Sequence, residues 1–245
     1  MRAPAKPKHP IRTTLLLELI IIAVYIAAGA AATLLDLGVL TLYYYANVLL
    51  VVFAVVLLYS GQNRQLVGMT LPRSPRTWAI FSIAFLPAAV NLISGGIHVS
   101  SANEALNFFL LALMVGFAEE VFFRGLMLRS MLAKGRWTAV VVTAVLFGLT
   151  HALNMFAGAN TTYTLLQIGY ALAIGFCFAA MALHTGTILP LILAHFLTDL
   201  FAFWAGGLGT TEPATIDFVI SIVYVVLFTA YGIWLMKRKP ALNGA

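Results

Sequence analysis

Eight long apolar stretches occupy almost the whole 245-residue chain. A transmembrane helix needs about 20 mostly apolar residues, and each stretch is close to that length. We therefore predict an all-α, polytopic membrane protein with eight transmembrane helices. The predicted spans are 14–35, 40–59, 78–97, 105–128, 137–156, 163–183, 188–205 and 216–236.

The amino-acid composition also indicates a membrane protein. Hydrophobic residues make up 62% of the chain and charged residues 9%, against about 45–50% and about 25% in a typical globular domain. This excludes a soluble enzyme and a disordered chain. A disulfide scaffold is excluded as well, because Cys177 is the only cysteine. We interpret Cys177, in its apolar stretch, as a small core residue.

The basic residues predict the orientation. Every lysine and arginine except Arg124 falls on one side of the eight-span arrangement, and the opposite loops carry Asp36, Glu104, Glu212 and Asp217. Because cytoplasmic loops are rich in Lys and Arg, we predict that both termini are cytoplasmic. The basic residues on that side are Arg2, Lys6, Lys8, Arg12, Arg64, Arg73, Arg76, Arg129, Lys134, Arg136, Lys237, Arg238 and Lys239.

The domain organisation follows from these spans. Residues 1–13 and 237–245 are predicted to be cytoplasmic tails, and residues 14–236 a single membrane domain in a prokaryotic inner membrane. The apolar region of the first span runs for about 22 residues, whereas a cleavable signal has only about 7–15, so we predict an uncleaved anchor. The net charge of +6 is assigned to the membrane surface and not to nucleic acid.

Charged groups inside a bilayer are costly and usually functional. The predicted spans contain Glu18, Glu119, Glu120, Arg124, His151, His195 and Asp199. Glu120 and Arg124 are four residues apart and share a helix face. Glu119 has no basic partner four residues on, which suits a general base. A charge cluster that only fixes helix packing is the alternative, and we interpret Glu18 as structural.

The histidines have partners one helical turn away. Phe147 and His151 share one face, as do His195 and Asp199. At about 1.5 Å of rise per residue, these residues and Glu119 reach overlapping depths. We expect one cavity below the cytoplasmic surface, formed by three helices.

Three motifs resemble those of the CPBP family, the CAAX proteases and bacteriocin-processing enzymes, also called the ABI or type II CAAX prenyl endopeptidase family. They are Glu119-Glu-Val-Phe-Phe-Arg124, Phe147-Gly-Leu-Thr-His151 and His195-Phe-Leu-Thr-Asp199. The resemblance covers about residues 106–203. It implies an eight-helix intramembrane endopeptidase with a cavity open to the cytosol or the lipid, acting on a membrane-bound or lipidated peptide.

The resemblance also implies a role for each motif residue. Glu119, with His151, would activate water, and His195 would stabilise the oxyanion. Glu120 and Arg124 would support the site, and Phe147 would pack behind His151. Asp199 stands where the prenyl-protease branch has Asn. An ionised Asp cannot donate a hydrogen bond, so it would orient His195, stay protonated or ligate a metal.

Two questions stay open at this stage. We prefer chemistry without a cofactor, but Zn²⁺ held by His151, His195, Asp199 and Glu119 is chemically coherent. The competing functions are a transporter and a non-catalytic membrane scaffold or bacteriocin-immunity protein.

Overall fold

The computed structural model describes residues 9–60, 67–206 and 212–239, and among them it contains helices and no strands. Arg2, Lys6, Lys8, Arg64 and residues 240–245 lie outside the described residues. The helices are α1 (Pro10–Leu34), α2 (Val39–Ser60), α3 (Pro75–Ile80), α4 (Leu86–Val90), α5 (Ala102–Glu120), α6 (Leu128–Met131), α7 (Arg136–Thr150), α8 (Thr161–Thr185), α9 (Leu189–Trp204) and α10 (Thr215–Lys237).

Short segments of tighter or wider helix connect some of them. Segments of 3₁₀-helix cover Ser82–Phe85, Leu132–Lys134 and His151–Ala157, and π-helical segments cover Asn91–Gly95 and Val121–Met127. The predicted fourth span is therefore one continuous helical run in which α5 and α6 are joined by a π segment. The all-helical membrane fold predicted from the sequence is confirmed.

Six of the described helical runs are long and apolar enough to cross a membrane. The predicted third span is broken into α3, a 3₁₀ segment, α4 and a π segment, with Pro87 at the start of α4. Proline lacks the N–H that a continuous helix needs. The predicted seventh span is α9, which has only 16 residues. The count of eight spans and the cytoplasmic termini stay predictions.

Hydrogen bonds define one end of the bundle, which we call the basic end. The amide of Ile188 donates to the carbonyl of Gly68 at 2.9 Å, and the hydroxyl of Ser130 donates to the carbonyl of Pro10 at 3.3 Å. The Arg129 guanidinium reaches the carbonyl of Gly186 at 3.4 Å. The start of α1, the segments before α3 and α9, and the end of α6 therefore lie together.

A second set of bonds defines the opposite end, which we call the acidic end after its carboxylates Asp36, Glu104, Glu212 and Asp217. The amide of His98 donates to the carbonyl of Trp204 at 2.5 Å, and the Asn160 amide donates to Glu212 at 2.8 Å. These bonds join the loop before α5, the end of α9, the start of α8 and the segment before α10.

Close contact between α5 and α9 sets the distance across the bundle. A Cβ atom on Gly116 of α5 would lie 2.8 Å from the backbone nitrogen and 3.1 Å from the Cα of Phe196. Small residues let membrane helices approach closely in this way. Gly116 lies one turn before Glu119, and Phe196 follows His195, so this contact also fixes the spacing of their side chains.

Replacing Gly116 with alanine is expected to destabilise the protein, because a Cβ would press on the backbone of α9. Overpacking of this kind costs about 1–3 kcal/mol. Gly169→Ala is the matched control, because nothing lies within 4 Å of a Cβ there and alanine is the better helix former by about 1 kcal/mol. Thermal unfolding in detergent, followed by tryptophan fluorescence, compares the two. Equal melting temperatures for both variants would contradict the tight α5–α9 contact.

Candidate active site

Glu119 and Glu120 are the last two residues of α5, and the π segment Val121–Met127 begins directly after them. A π segment widens the helix and often marks a functional site. Arg124 lies within this segment and is 1% exposed. The local backbone thus places two carboxylates and one guanidinium around a widened turn in the middle of the bundle.

Glu120 joins two of the predicted motifs through one oxygen. Its Oε1 accepts a hydrogen bond from Arg124 Nη1 at 2.8 Å and lies 2.9 Å from Nδ1 of His195. A carboxylate only accepts hydrogen bonds, so Nδ1 of His195 is the donor. The Arg124 pair was predicted from the sequence. The contact with His195 was not, because the two residues are 75 positions apart and no helical periodicity connects them.

The other nitrogen of His195 faces two carboxylates. Nε2 lies 3.5 Å from Oδ2 of Asp199 and 3.8 Å from Oε2 of Glu119. Glu120 therefore makes the short hydrogen bond that orients the ring, a role for which the sequence had suggested Asp199. Asp199 faces the same ring edge as Glu119.

His151 begins the 3₁₀ segment after α7, and its Nδ1 lies 2.8 Å from the carbonyl oxygen of Phe147. A carbonyl oxygen can only accept, so Nδ1 donates and Nε2 of the neutral ring is left as an acceptor. The Phe147 ring contacts both imidazoles edge to face, with centroids 5.0 Å from His151 and 6.0 Å from His195. Phe147 also stacks under Arg124, at 4.0 Å.

These side chains surround a cavity of about 220 Å³. Glu119, His151, His195 and Asp199 all line it, so the structure brings the four predicted catalytic residues to one space. Phe147 is in its wall, whereas Glu120 and Arg124 lie behind it. Water occupies about 30 Å³ per molecule in the liquid, so the cavity has room for water beside a substrate. Other polar side chains in its wall are Tyr25, Tyr43, Asn91, Thr150, Asn154, Tyr163, Gln167, Tyr170, Thr198 and Tyr224.

Glu18 has a contact with this wall that the sequence did not reveal. It is buried in α1, and its Oε1 accepts a hydrogen bond from the hydroxyl of Thr150 at 2.6 Å. Thr150 lines the cavity directly before His151. Glu18 thus ties α1 to the end of α7. Cys177 is buried outside the cavity lining, as a small core residue would be.

The suggested zinc ligands do not form a metal site as the structure places them. Among the described residues, no group of three or more His, Cys, Asp or Glu side chains is arranged to hold a metal ion. Nδ1 of His195 is engaged by Glu120 and Nδ1 of His151 by the Phe147 carbonyl, which leaves Nε2 as the remaining nitrogen of each ring. The zinc alternative stays a prediction.

Residues 101–201 match the family model described as type II CAAX prenyl endopeptidase Rce1-like. The match contains all three motifs and nearly coincides with the predicted segment 106–203, so the resemblance to the CAAX protease family is confirmed. Together with the six apolar helical runs, the match supports an integral membrane protein. No curated protein and no solved structure matches the chain. The link to bacteriocins and the prokaryotic inner membrane stay predictions.

Replacing Glu120 with alanine is expected to destabilise the protein strongly. The change leaves the Arg124 guanidinium buried without its partner, and breaking a buried pair in this way costs about 3–5 kcal/mol. The double variant Glu120→Ala/Arg124→Ala removes the unpaired charge, so it should lose less stability than the sum of the two single variants. Thermal unfolding of the four proteins in detergent measures this coupling. Additive losses would show that the pair does not interact.

Proposed function

For a chain whose residues 101–201 match the CAAX prenyl endopeptidase family, we propose that it is an intramembrane endopeptidase. It hydrolyses a peptide bond in a membrane-associated or lipidated polypeptide. The observation that carries this proposal is the shared cavity: Glu119, His151 and His195 line one space inside a membrane-embedded bundle. A carboxylate, imidazoles and room for water around one point are what hydrolysis by a carboxylate-activated water needs.

Glu119 is the proposed general base. It takes one proton from a water molecule in the cavity while the water oxygen forms a bond to the carbonyl carbon of the substrate. The electron pair of the carbonyl double bond moves to its oxygen, which becomes an oxyanion. The second O–H of this water keeps its proton and donates a hydrogen bond to Nε2 of His151, the nitrogen left as an acceptor by the Nδ1 bond to Phe147.

His195 is the proposed oxyanion donor. Its Nδ1–H is held by Glu120, so donation from Nε2 requires a proton on both ring nitrogens. The positive charge of that form is balanced by the carboxylates of Glu119, Glu120 and Asp199, which all lie within 4 Å of the ring nitrogens. Removing one oxyanion donor from an enzyme typically costs about 10²–10³ in kcat.

The intermediate then collapses. The carbon–nitrogen bond breaks, the oxyanion electron pair re-forms the carbonyl, and Glu119 gives its proton to the leaving nitrogen. One water molecule is consumed, and a carboxyl and an amino terminus are produced. Glu119 returns to its carboxylate form, so the cycle needs no further reactant.

Glu119→Gln is expected to abolish cleavage, because an amide of the same shape cannot take the proton of water. Glu104→Gln is the matched control, since Glu104 lies on the same helix at the acidic end and outside the cavity lining. Both variants should insert and melt like the wild type. New protein termini in the membrane fraction of expressing cells, measured by mass spectrometry, report the activity.

Release of the same new termini by Glu119→Gln would contradict the proposal. In that case the non-catalytic scaffold predicted as an alternative is favoured. Proton or solute flux in proteoliposomes without any cleavage would favour the transporter.

Asp199→Asn is expected to leave cleavage largely intact. With His195 doubly protonated, three carboxylates face two cations, so removing the charge of Asp199 leaves Glu119 and Glu120 to balance Arg124 and His195. The amide also adds a donor for the oxyanion. Asp199→Ala, which loses both the polar contact and the shape, should be slower. The initial rates of the two variants test this, and an inactive Asp199→Asn protein would contradict the charge argument.

A further inference from the structure

The cavity extends toward one end of the bundle only. Its wall includes residues near the acidic ends of several helices, where α2 and α8 begin and where α9 ends; these are Tyr43, Tyr163, Ala202 and Phe203. Asn154 and Ala159, from the loop before α8, also line it. The cavity therefore runs from the middle of the bundle to the acidic end.

On the opposite side of Glu119 and His195 the centre of the bundle is packed, and the pocket at the basic end lies apart from the cavity, between the start of α1 and the α6–α7 connection. Phe122, Phe123, Met127 and Ile188 are completely buried, and none of them lines the cavity. At the basic end the Gly68 carbonyl binds the Ile188 amide, which closes the segment before α9. Seen from the acidic end, the cavity therefore ends at a floor, which is formed by Glu119, Phe147 and His195.

The charges at the two ends differ in sign. All described lysines and arginines except Arg124 lie at or near the basic end, and the carboxylates Asp36, Glu104, Glu212 and Asp217 lie at the acidic end. Membrane proteins keep their basic loops in the cytoplasm. The end toward which the cavity extends is thus the one expected on the non-cytoplasmic side.

We propose that substrates enter the active site from the non-cytoplasmic face of the membrane. The substrate class is then an exported polypeptide whose apolar or lipidated segment is held in the outer leaflet. The substrate class rests on the proposed peptidase function, whereas the side of access rests on the cavity and the charges alone. It differs from the cavity below the cytoplasmic surface that the sequence had suggested.

The wall on this side is polar, which suits a water-filled space. The wall between the floor and the acidic end carries hydroxyl and amide groups that bond to one another: Tyr43 donates to Asn154 at 3.1 Å, and Asn154 donates to Gln167 at 2.9 Å. Polar groups of this kind in a membrane interior normally face a water-filled space. A scissile bond entering past them meets the Glu119 water without passing through the packed side chains toward the basic end.

Single cysteines test the side of access without relying on activity. In a Cys177→Ala background, which contains no other cysteine, the cavity position is Ala202→Cys. The controls are Ser100→Cys at the acidic end and Arg73→Cys at the basic end, both exposed. Each protein is treated in intact bacterial spheroplasts, and again after permeabilisation, with a charged, membrane-impermeant methanethiosulfonate reagent.

We expect Ala202→Cys and Ser100→Cys to react in intact spheroplasts, and Arg73→Cys only after permeabilisation. The access proposal is overturned if Ala202→Cys reacts only after permeabilisation, or if it never reacts while Ser100→Cys does. Thermal unfolding shows whether each variant is folded. The readout is labelling, so it does not depend on cleavage. If Glu119→Gln still cleaves, the peptidase proposal fails and the labelling result stands. If Ala202→Cys is labelled only after permeabilisation, the access proposal fails and the peptidase proposal stands.

Discussion

One carboxylate oxygen connects two of the three motifs. Oε1 of Glu120 binds Arg124 on its own helix and Nδ1 of His195 on α9, and Glu120 is completely buried. A buried charge is tolerated only when it is paired and hydrogen-bonded. The guanidinium lies against the ring of Phe147, which in turn contacts both imidazoles. The position of His195 and the wall around His151 therefore both depend on the ion pair behind them.

Close helix packing makes this connection possible. The bond between Glu120 and His195 requires α5 and α9 to approach at backbone contact, and Gly116 allows that approach next to Phe196. The π segment after Glu120 then widens the turn that carries Arg124. A membrane bundle gains little from the hydrophobic effect between its helices, so packing and polar contacts hold it together. Here both kinds of contact converge on the candidate site.

The sequence predicts the parts of the site that lie within one helix. Spacing of four residues places Glu120 with Arg124, Phe147 with His151 and His195 with Asp199, and the structure contains each of these contacts. The contacts between helices, Glu120 with His195 and Glu18 with Thr150, have no periodic signal. The hydropathy of the sequence did not show that segment 75–95 is broken. Hydropathy measures how apolar a segment is, and it does not register the backbone N–H that Pro87 lacks.

The two adjacent glutamates lie in different environments because a helix turns by about 100° per residue. Glu120 points into the packed side, where a low dielectric strengthens its bonds to Arg124 and His195. Glu119 points into the cavity and is 14% exposed, where it can meet water. The helical offset between the two neighbours therefore places one carboxylate in a fixed ion pair on the packed side and the other on the cavity side.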